Sequence, residues 1–327
     1  MYDVVTFGET MLRLSPPNYR RIEHAISFEA NAGGAEMSVA CNVSRLGLNS
    51  AWVSRLTDNS IGHFIRDKAR EQGVDTSHVV WAKGDRVGIY FVEFGASPRA
   101  SRVIYDRANS AMSRIKPGEV DWTSFLSGTK WFYTTGITPA LSPSAAEATV
   151  EALKAAKSAG CKVACDLNYR ARLWTEEEAH KVMEPLMDYV DVLISTEEDT
   201  AKVLKIRADS YQEVARKLAE RFNFEAVCIT IRTDLSVLRN QWTAIVYAGG
   251  KVYEDKTYDV EIIDRVGAGD SFSSGFLYGY TTGDAEKGLR YGNAYAALEH
   301  SIPGDINWCT LQELESVVAG AGTRISR

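Results

Sequence analysis

Apolar residues along most of this chain alternate between short strand-like runs and longer runs with helical spacing. Residues 4–8, 162–167 and 226–231 are short apolar runs that predict buried strands. Residues 35–46 and 211–222 carry apolar side chains three or four positions apart, which predicts helices. Strands that alternate with helices are typical of a mostly parallel sheet flanked by helices. The sequence therefore predicts an α/β fold that binds its ligands at the carboxyl ends of the strands.

Two early segments do not follow this alternation. Residues 12–31 contain Pro16, Pro17 and several charges, and they show no helical period. Residues 88–94 and 102–106 are β-rich and flank a Gly-Ala-Ser-Pro turn, which predicts a hairpin. We expect inserted segments at about 12–32 and 86–110 to form a small β lid over the site. No repeat or linker is visible, so residues 1–327 are predicted to form one domain that carries this lid.

Composition and charge narrow the class of protein. Apolar residues make up 45% of the chain and charged residues 24%, which is ordinary for a folded globular protein. The net charge is -6 and the basic residues are scattered, whereas nucleic-acid binders usually carry a clustered basic face. The sequence shows no signal peptide and no apolar run of about 18–20 residues. We therefore predict a cytoplasmic protein with neither nucleic acid nor a membrane as partner.

The five cysteines do not form a recognisable metal or redox pattern. Their number is odd, and three residues separate Cys161 from Cys165, where a redox or zinc pair would have two. Most of them lie in apolar stretches. They are predicted to be buried free thiols in a reducing compartment.

The densest chemical signal is the string Asp264-Arg-Val-Gly-Ala-Gly-Asp270, which precedes a predicted helix. Two glycines around Ala268 permit a tight turn and leave the backbone N–H groups uncovered. The first N–H groups of a helix, together with its dipole, favour a bound anion. Asp270 at the helix start could be a helix cap. A carboxylate there could equally accept the proton of an attacking hydroxyl during phosphoryl transfer.

This string resembles the D-x-x-G-A-G-D signature of the ribokinase-like (PfkB) carbohydrate kinases. The Gly33-Gly34 pair that opens a helix resembles the other motif of that family, and the resemblance continues over nearly the whole chain. It implies a ribokinase-like fold and ATP-dependent phosphorylation of a sugar. It further implies that Gly267, Ala268 and Gly269 form an anion hole, that Asp270 is the catalytic base, and that Gly33 and Gly34 contact the sugar.

Four further strings resemble 2-keto-3-deoxygluconate kinases, at residues 88–91, 103–111, 135–141 and 166–174. Their substrate is a sugar acid, which would be converted to its 6-phospho form. Arginine suits a carboxylate because its guanidinium donates two parallel hydrogen bonds. The resemblance implies that the sugar-acid pocket is lined by Gly34, Tyr90, Tyr105, Arg107 and Arg170.

The resemblance also implies the nucleotide and metal sites. ATP and Mg²⁺ are the expected cofactors; relatives often use K⁺, and the sequence leaves open whether this chain does. Glu198 is the expected metal residue. Ser195 stands where the family has an Asn close to this metal residue. Ser38 stands where many relatives have an Asn in the motif that begins at Gly33. The expected nucleotide-binding residues are Ser195, Thr230, Arg232, Gly267, Gly269 and Asn293.

Two alternatives remain open at this point. The chain could phosphorylate a neutral sugar or a nucleoside, as fructokinases, ribokinases and adenosine kinases do, or it could be a catalytically silent sugar- or nucleotide-binding regulator. A dinucleotide-binding dehydrogenase is disfavoured, because no G-x-G-x-x-G follows the first strand. The exposed edges of the predicted lid favour a homo-oligomer in which two lids pair.

Overall fold

The structure is a computed structural model that describes residues 1–320, and its strands fall into three sheets. The strands, in chain order, are β1 (Val4–Phe7), β2 (Met11–Ser15), β3 (Glu29–Gly33), β4 (Ser50–Val53), β5 (Arg55–Thr57), β6 (Val80–Ala82), β7 (Ile89–Glu93), β8 (Arg102–Asp106), β9 (Trp131–Thr135), β10 (Lys162–Asp166), β11 (Val192–Ser195), β12 (Ala226–Ser236), β13 (Arg239–Ala248), β14 (Lys251–Glu254) and β15 (Tyr258–Glu261). The helices are α1 (Ala35–Arg45), α2 (Ser60–Arg70), α3 (Ile137–Ala140), α4 (Pro143–Ser158), α5 (Glu176–Leu186), α6 (Glu197–Val203), α7 (Tyr211–Phe222), α8 (Ala268–Thr282), α9 (Ala285–Glu299) and α10 (Leu311–Val318).

A nine-stranded, mostly parallel sheet forms the centre of the molecule. Its strands lie in the order β14-β13-β12-β11-β10-β9-β1-β4, and β15 pairs with β13 beside this path. Along the sheet, the neighbouring strands β4, β1, β9, β10, β11 and β12 are all parallel to one another. The strand β13 is antiparallel to its three neighbours β12, β14 and β15. Every residue of β1, β9 and β11 is buried, as expected for strands covered by helices on both faces. The predicted α/β class, with a mostly parallel sheet flanked by helices, is confirmed.

A separate four-stranded sheet, which we call the small sheet, is built from the two segments that broke the alternation. Its strand order is β3-β2-β7-β8. The β7–β8 hairpin is antiparallel around the predicted turn, and β2 pairs with β7 in parallel. The first segment was expected to belong to the β lid, but no strand was located in it from the sequence; its strand β2 alternates buried and half-buried residues. Arg13 is one of its buried positions, and this is why the strand pattern was hidden in the sequence.

Most helices begin at side-chain caps that the sequence supplies. Asn59 caps α2, Ser142 caps α4, and Thr175 forms a capping box with Glu178 at α5. The helix α8 differs, because Gly267 is its N-cap with φ +96° and no side chain caps it. The long helix after the glycine string therefore begins at Ala268, two residues earlier than the sequence indicated.

The strand β12 is longer than predicted and reaches past the edge of the central sheet. The expected strand ended at Ile231, but β12 continues to Ser236, and its last five residues are exposed. These residues pair with the start of β13. Polar residues such as Thr233 and Asp234 hid this extension, which forms one wall of the site. Within residues 1–320, no helix is both long and apolar enough to cross a bilayer.

Candidate active site

A cleft of about 1090 Å³ opens at the carboxyl ends of the parallel strands. The small sheet contributes one wall, with Tyr90 and Tyr105, and the ends of β10, β11 and β12 contribute the floor. The string of residues 264–270, which we call the glycine turn, closes the other side. Every residue predicted from the sequence to belong to the site lines this cleft, with the exception of Asn293.

The glycine turn presents free backbone N–H groups to the cleft. The first hydrogen bond at the start of α8 runs from the Ser271 N–H to the Gly267 carbonyl at 2.8 Å. The N–H groups of Ala268, Gly269 and Asp270 precede this bond and have no partner within the helix. They lie at the positive end of the helix dipole, which is a favourable place for a phosphate.

Asp270 occupies the third position of α8 and is therefore not its cap. Its side chain is half-buried and borders the cleft. Burial raises the pKa of its carboxyl well above the ordinary value, and the negative charges of Asp166, Asp305 and Glu36 raise it further. The positive charge of Arg170 acts against these effects and lowers the pKa of Asp270. Such a carboxylate binds a proton more strongly than an exposed aspartate does, as a general base requires.

The two predicted carboxylate-binding arginines differ in their surroundings. The Arg107 guanidinium is already paired with the buried Glu9, since its Nε donates to Oε2 at 2.9 Å and its Nη2 to the same oxygen. Ser110 donates to the other Glu9 oxygen. Arg170 is exposed and forms no ion pair within the part of the chain that the structure describes. Arg170 is thus the cation of the pair that remains available to an anionic ligand.

The strand ends carry further carboxylates whose pKa values are raised by burial, and Arg170 lies close enough to Asp166 and Asp199 for its charge to lower these pKa values. Burial raises the pKa of Asp166 to about 7, with a further contribution from the negative charge of Asp199, while Arg170 lowers it. Glu36 is fully buried, and burial raises the pKa of its carboxyl as well. Its Oε1 accepts hydrogen bonds from the Thr135 N–H and hydroxyl and from the Thr138 hydroxyl, at 2.8–3.1 Å. The sequence analysis did not identify Asp166 or Glu36 as site residues.

The tyrosines and glycines of the sugar side fit closely together. The rings of Tyr90 and Tyr105 stack with centroids 5.8 Å apart. The Tyr90 hydroxyl donates to Asp305 Oδ2 at 2.5 Å. A Cβ atom on Gly33 would lie 1.9 Å from this hydroxyl, and one on Gly34 would lie 2.2 Å from the Glu9 carbonyl oxygen. Both positions therefore require glycine. Asp305 was missed, because a single loop aspartate has no pattern that reveals its neighbours.

The predicted nucleotide residues line the other end of the cleft. Ser195 ends β11, and Thr230 and Arg232 follow along β12, where the Thr230 hydroxyl donates to the Ser195 carbonyl at 3.4 Å. Asn293 does not reach the cleft. It is fully buried on α9, and its Nδ2 donates to Asp255 Oδ2 at 3.2 Å, on the side that faces the connection between β14 and β15. The structure therefore does not bring Asn293 to the other predicted nucleotide residues.

The oxygen donors of the cleft suit a hard cation that arrives with phosphates. Glu198 is exposed at the cleft and pairs with Lys202, whose Nζ lies 2.5 Å from Oε1. Within residues 1–320 no group of three or more His, Cys, Asp or Glu side chains could hold a metal ion by itself. Mg²⁺ is commonly bound by one or two carboxylates together with substrate phosphates and water. Glu198, with Asp199 beside it, fits that arrangement.

Comparison with known proteins identifies the family. The model of the pfkB family carbohydrate kinases matches residues 1–311. The chain belongs to this family. It is 40% identical over 326 residues to the 2-dehydro-3-deoxygalactonokinase of Haloferax volcanii, covering 99% of both chains. It is 31% identical to the 2-dehydro-3-deoxygluconokinase of Thermoproteus tenax, covering 93% of this chain and 90% of that one.

The crystal structure of the 2-dehydro-3-deoxygluconokinase of Thermotoga maritima superimposes closely on this fold. The TM-score is 0.95 at 43% sequence identity, covering 98% of this chain and 100% of that one. The protein is accordingly a carbohydrate kinase, and its family membership implies ATP as the phosphoryl donor.

Proposed function

We propose that this kinase transfers the γ-phosphoryl group of ATP to the terminal hydroxyl of a 2-keto-3-deoxy sugar acid such as 2-keto-3-deoxygluconate. The observation that supports this most directly is the exposed Arg170 guanidinium, which lies in the same cleft as Asp270 and the glycine turn and forms no ion pair within residues 1–320. A carboxylate on the substrate distinguishes sugar acids from neutral sugars. Relatives named for both the gluconate- and the galactonate-derived acids support the substrate class and leave the epimer open.

In the proposed mechanism the phosphoryl group moves directly and in line from ATP to the sugar. Asp270 accepts the proton of the attacking hydroxyl, and its raised pKa matches that role. The N–H groups of Ala268, Gly269 and Asp270 stabilise the negative charge that builds on the phosphoryl oxygens. Mg²⁺, held by Glu198 together with the nucleotide, would neutralise part of the phosphate charge.

The small sheet serves as the predicted lid in this proposal. Tyr90 and Tyr105 lie on its inner face, so that the sheet covers the sugar side of the cleft. Exclusion of water matters to a kinase, because water at the position of the sugar hydroxyl would hydrolyse ATP. Arg107, neutralised by Glu9, would orient the sugar hydroxyls, whereas Arg170 would bind the carboxylate.

A coupled ADP-release assay with ATP and Mg²⁺ tests the proposal. The substrates are 2-keto-3-deoxygluconate, its galactonate epimer, fructose, ribose and adenosine. We expect turnover only with the two keto acids, and we expect Arg170→Ala to raise KM for the sugar acid by about 10²-fold or more. The matched control is Arg70→Ala, which removes an exposed arginine of α2 far from the cleft.

Each of the other outcomes has a definite meaning. Turnover with a neutral sugar would keep Asp270 as the base but refute the carboxylate argument. No turnover with any substrate would favour the silent sugar- or nucleotide-binding regulator. An unchanged KM in Arg170→Ala would show that the sugar acid is bound by other groups.

We also propose that the kinase forms a homo-oligomer in the cytoplasm through the outer face of the small sheet. This face carries Leu14, Phe91 and Ile104 in adjacent strand positions. Phe28 packs against Phe91, with ring centroids 6.0 Å apart, and is 39% exposed, while Ile104 is 36% exposed. Apolar residues exposed together on one sheet face support burial against a second copy.

A further inference from the structure

The guanidinium of Arg13 is a deeply buried charge that lies between the small sheet and the glycine turn. Arg13 belongs to β2 and its side chain is only 1% exposed. Its Nη1 donates to Asp305 Oδ1 at 2.6 Å, its Nη2 donates to Asp264 Oδ2, and its Nε donates to Ser15 Oγ at 3.2 Å. One side chain of the small sheet thus connects two carboxylates that belong to separate loops of the core.

The first of these carboxylates shapes the glycine turn. Asp264 is the first residue of the turn, and its Oδ1 accepts the Val266 N–H at 3.1 Å. Its Oδ2 accepts the Gly304 N–H at 3.1 Å as well as the Arg13 hydrogen bond. Asp264 therefore fixes the backbone that leads into the Gly267 cap, and it joins this backbone to the loop of Asp305.

The second carboxylate shapes the sugar side of the cleft. Asp305 Oδ1 accepts from Arg13, and its Oδ2 accepts from the Tyr90 hydroxyl. The same Oδ2 would lie 2.4 Å from a Cβ atom on Gly33. The orientation of Asp305 consequently determines where the Tyr90 hydroxyl and the Gly33 backbone stand relative to each other.

Arg13 itself does not line the cleft, although both of its carboxylate partners do. It can act on the reaction only through these partners. We propose that Arg13 is a positioning residue that couples the sugar pocket to the glycine turn, by holding Asp305 and Asp264 at a fixed separation. This inference rests on the proposed kinase function and adds to it a residue that aligns the acceptor hydroxyl with Asp270.

The bridge requires the shape of a guanidinium as well as its charge. Arginine presents several N–H groups in a rigid plane, so that one side chain can bind two carboxylates on different sides. Lysine at this position would keep the positive charge, but its compact ammonium ends a shorter side chain and cannot reproduce both contacts. Misplacement of a reacting group by about 1 Å is enough to lower a rate about 10²-fold. Arg13→Lys should therefore preserve the positive charge beside Asp264 and Asp305 but disturb the alignment of the acceptor hydroxyl with Asp270.

The test compares Arg13→Lys with the wild-type enzyme in the ADP-release assay, with kcat and both KM values measured and the thermal midpoint recorded. We expect kcat to fall at least about tenfold, KM for the sugar acid to rise, and KM for ATP to stay within about twofold. Arg55→Lys is the matched control. Arg55 is also largely buried and pairs with Asp85, but it lies outside the cleft. Its kcat should stay near that of the wild type.

A kcat less than about fivefold below that of the wild type in Arg13→Lys would overturn the inference, whatever its thermal midpoint. If Arg13→Lys does not fold, the double variant Arg13→Gln/Asp264→Asn removes one positive and one negative charge together, and the same kcat criterion applies. Wild-type enzyme without turnover on any keto acid would refute the proposed function. Wild-type turnover with an equally active Arg13→Lys would refute only the positioning role.

Discussion

The Asp270 carboxylate forms no side-chain hydrogen bond or ion pair within residues 1–320, and Asp270 is not the cap of its helix. It is the third residue of α8, and the helix is capped by Gly267 instead. We expect Asp270→Asn to lower kcat about 10²–10⁴-fold, because asparagine cannot accept the proton of the hydroxyl. KM for ATP should change little. The measurement is steady-state kinetics together with ATP binding by calorimetry.

The control for Asp270→Asn is Glu213→Gln. Glu213 stands at the same third position of α7, behind the cap Ser210, but it does not line the cleft. Both variants remove a carboxylate from the first turn of a helix, so a loss confined to Asp270→Asn reports on chemistry and not on the helix. An Asp270→Asn enzyme that keeps most of its kcat would show that another group is the base.

The carboxylates near Asp270 predict how the rate depends on pH. A base must be ionised to act, so kcat/KM should fall when the pH drops through the pKa of Asp270. Since burial, Asp166 and Asp305 raise this pKa, the acidic limb should lie well above the value of about 3.9 for an ordinary aspartate. Removing the charge of Asp166 by Asp166→Asn should move the limb to lower pH. A pH–rate profile checks this, and a limb that stays in place would contradict the assigned interaction.

Sequence patterns predicted cleft residues that belong to a local motif and missed residues whose contacts are distant along the chain. Asp270 and Arg170 stand in recognisable strings, and the structure brings both to the cleft. Arg13 contacts carboxylates 251 and 292 positions away, and nothing in its local sequence indicates them. The pairing of Arg107 with Glu9, 98 positions away, was equally invisible. Asn293 was misplaced because a helical period does not reveal that this position of α9 is enclosed.

The start of α8 allows the conformational and chemical roles of its glycines to be separated. Gly267 has φ +96°, and a Cβ atom there would lie 2.7 Å from Glu299 Oε1. A Cβ atom on Gly269 would meet no atom within 4 Å, and its position is helical. The fold therefore requires glycine at 267 but not at 269, where we predict that the approach of a phosphate to the backbone is what disfavours a side chain.

We therefore expect Gly267→Ala to lose stability and Gly269→Ala to lose activity. We expect Gly267→Ala to lower the free energy of unfolding by about 1–2 kcal/mol or more, because a left-handed backbone disfavours a side chain. Gly269→Ala should fold at least as stably as the wild type, since alanine favours helix, but its kcat should fall. Thermal unfolding of both variants measures their stability, and the ADP-release assay measures their kcat. A fully active Gly269→Ala would show that phosphate does not approach this N–H group.

The elements that the sequence predicted well are those whose apolar residues follow a regular pattern. The strands β1, β10 and β11 are nearly continuous apolar runs, and the helix α7 was bounded correctly by its period. The strand β2 was missed because one of its buried positions is occupied by the charged residue Arg13, which lies beside carboxylates, so that buried and apolar positions do not coincide. The end of β12 was missed because an exposed strand extension lacks an apolar face. Hydrophobic pattern thus predicts the core, and it fails where polar side chains build the site.

The small sheet connects the chemistry of one subunit to the proposed assembly. Its inner face carries Arg13 and Tyr90, and its outer face carries Leu14, Phe91 and Ile104. The strands β3 and β8 form its two edges in the described chain, and unpaired edges favour pairing with another strand. A second copy packed against the outer face would restrict the motion of the small sheet, as the hydrogen bonds of Arg13 do on its inner face.

This arrangement predicts that oligomerisation and activity are linked. Ile104→Glu places a charge on the outer face without touching the cleft, and it should shift the mass measured by light scattering from oligomer toward monomer. The monomer should show a higher KM for the sugar acid, because the freed sheet must then be ordered by the substrate. Ile61→Glu is the control, since Ile61 is similarly exposed but belongs to α2 and not to a strand of the small sheet. A monomeric wild type, or an Ile104→Glu variant of unchanged mass, would refute assembly through this face.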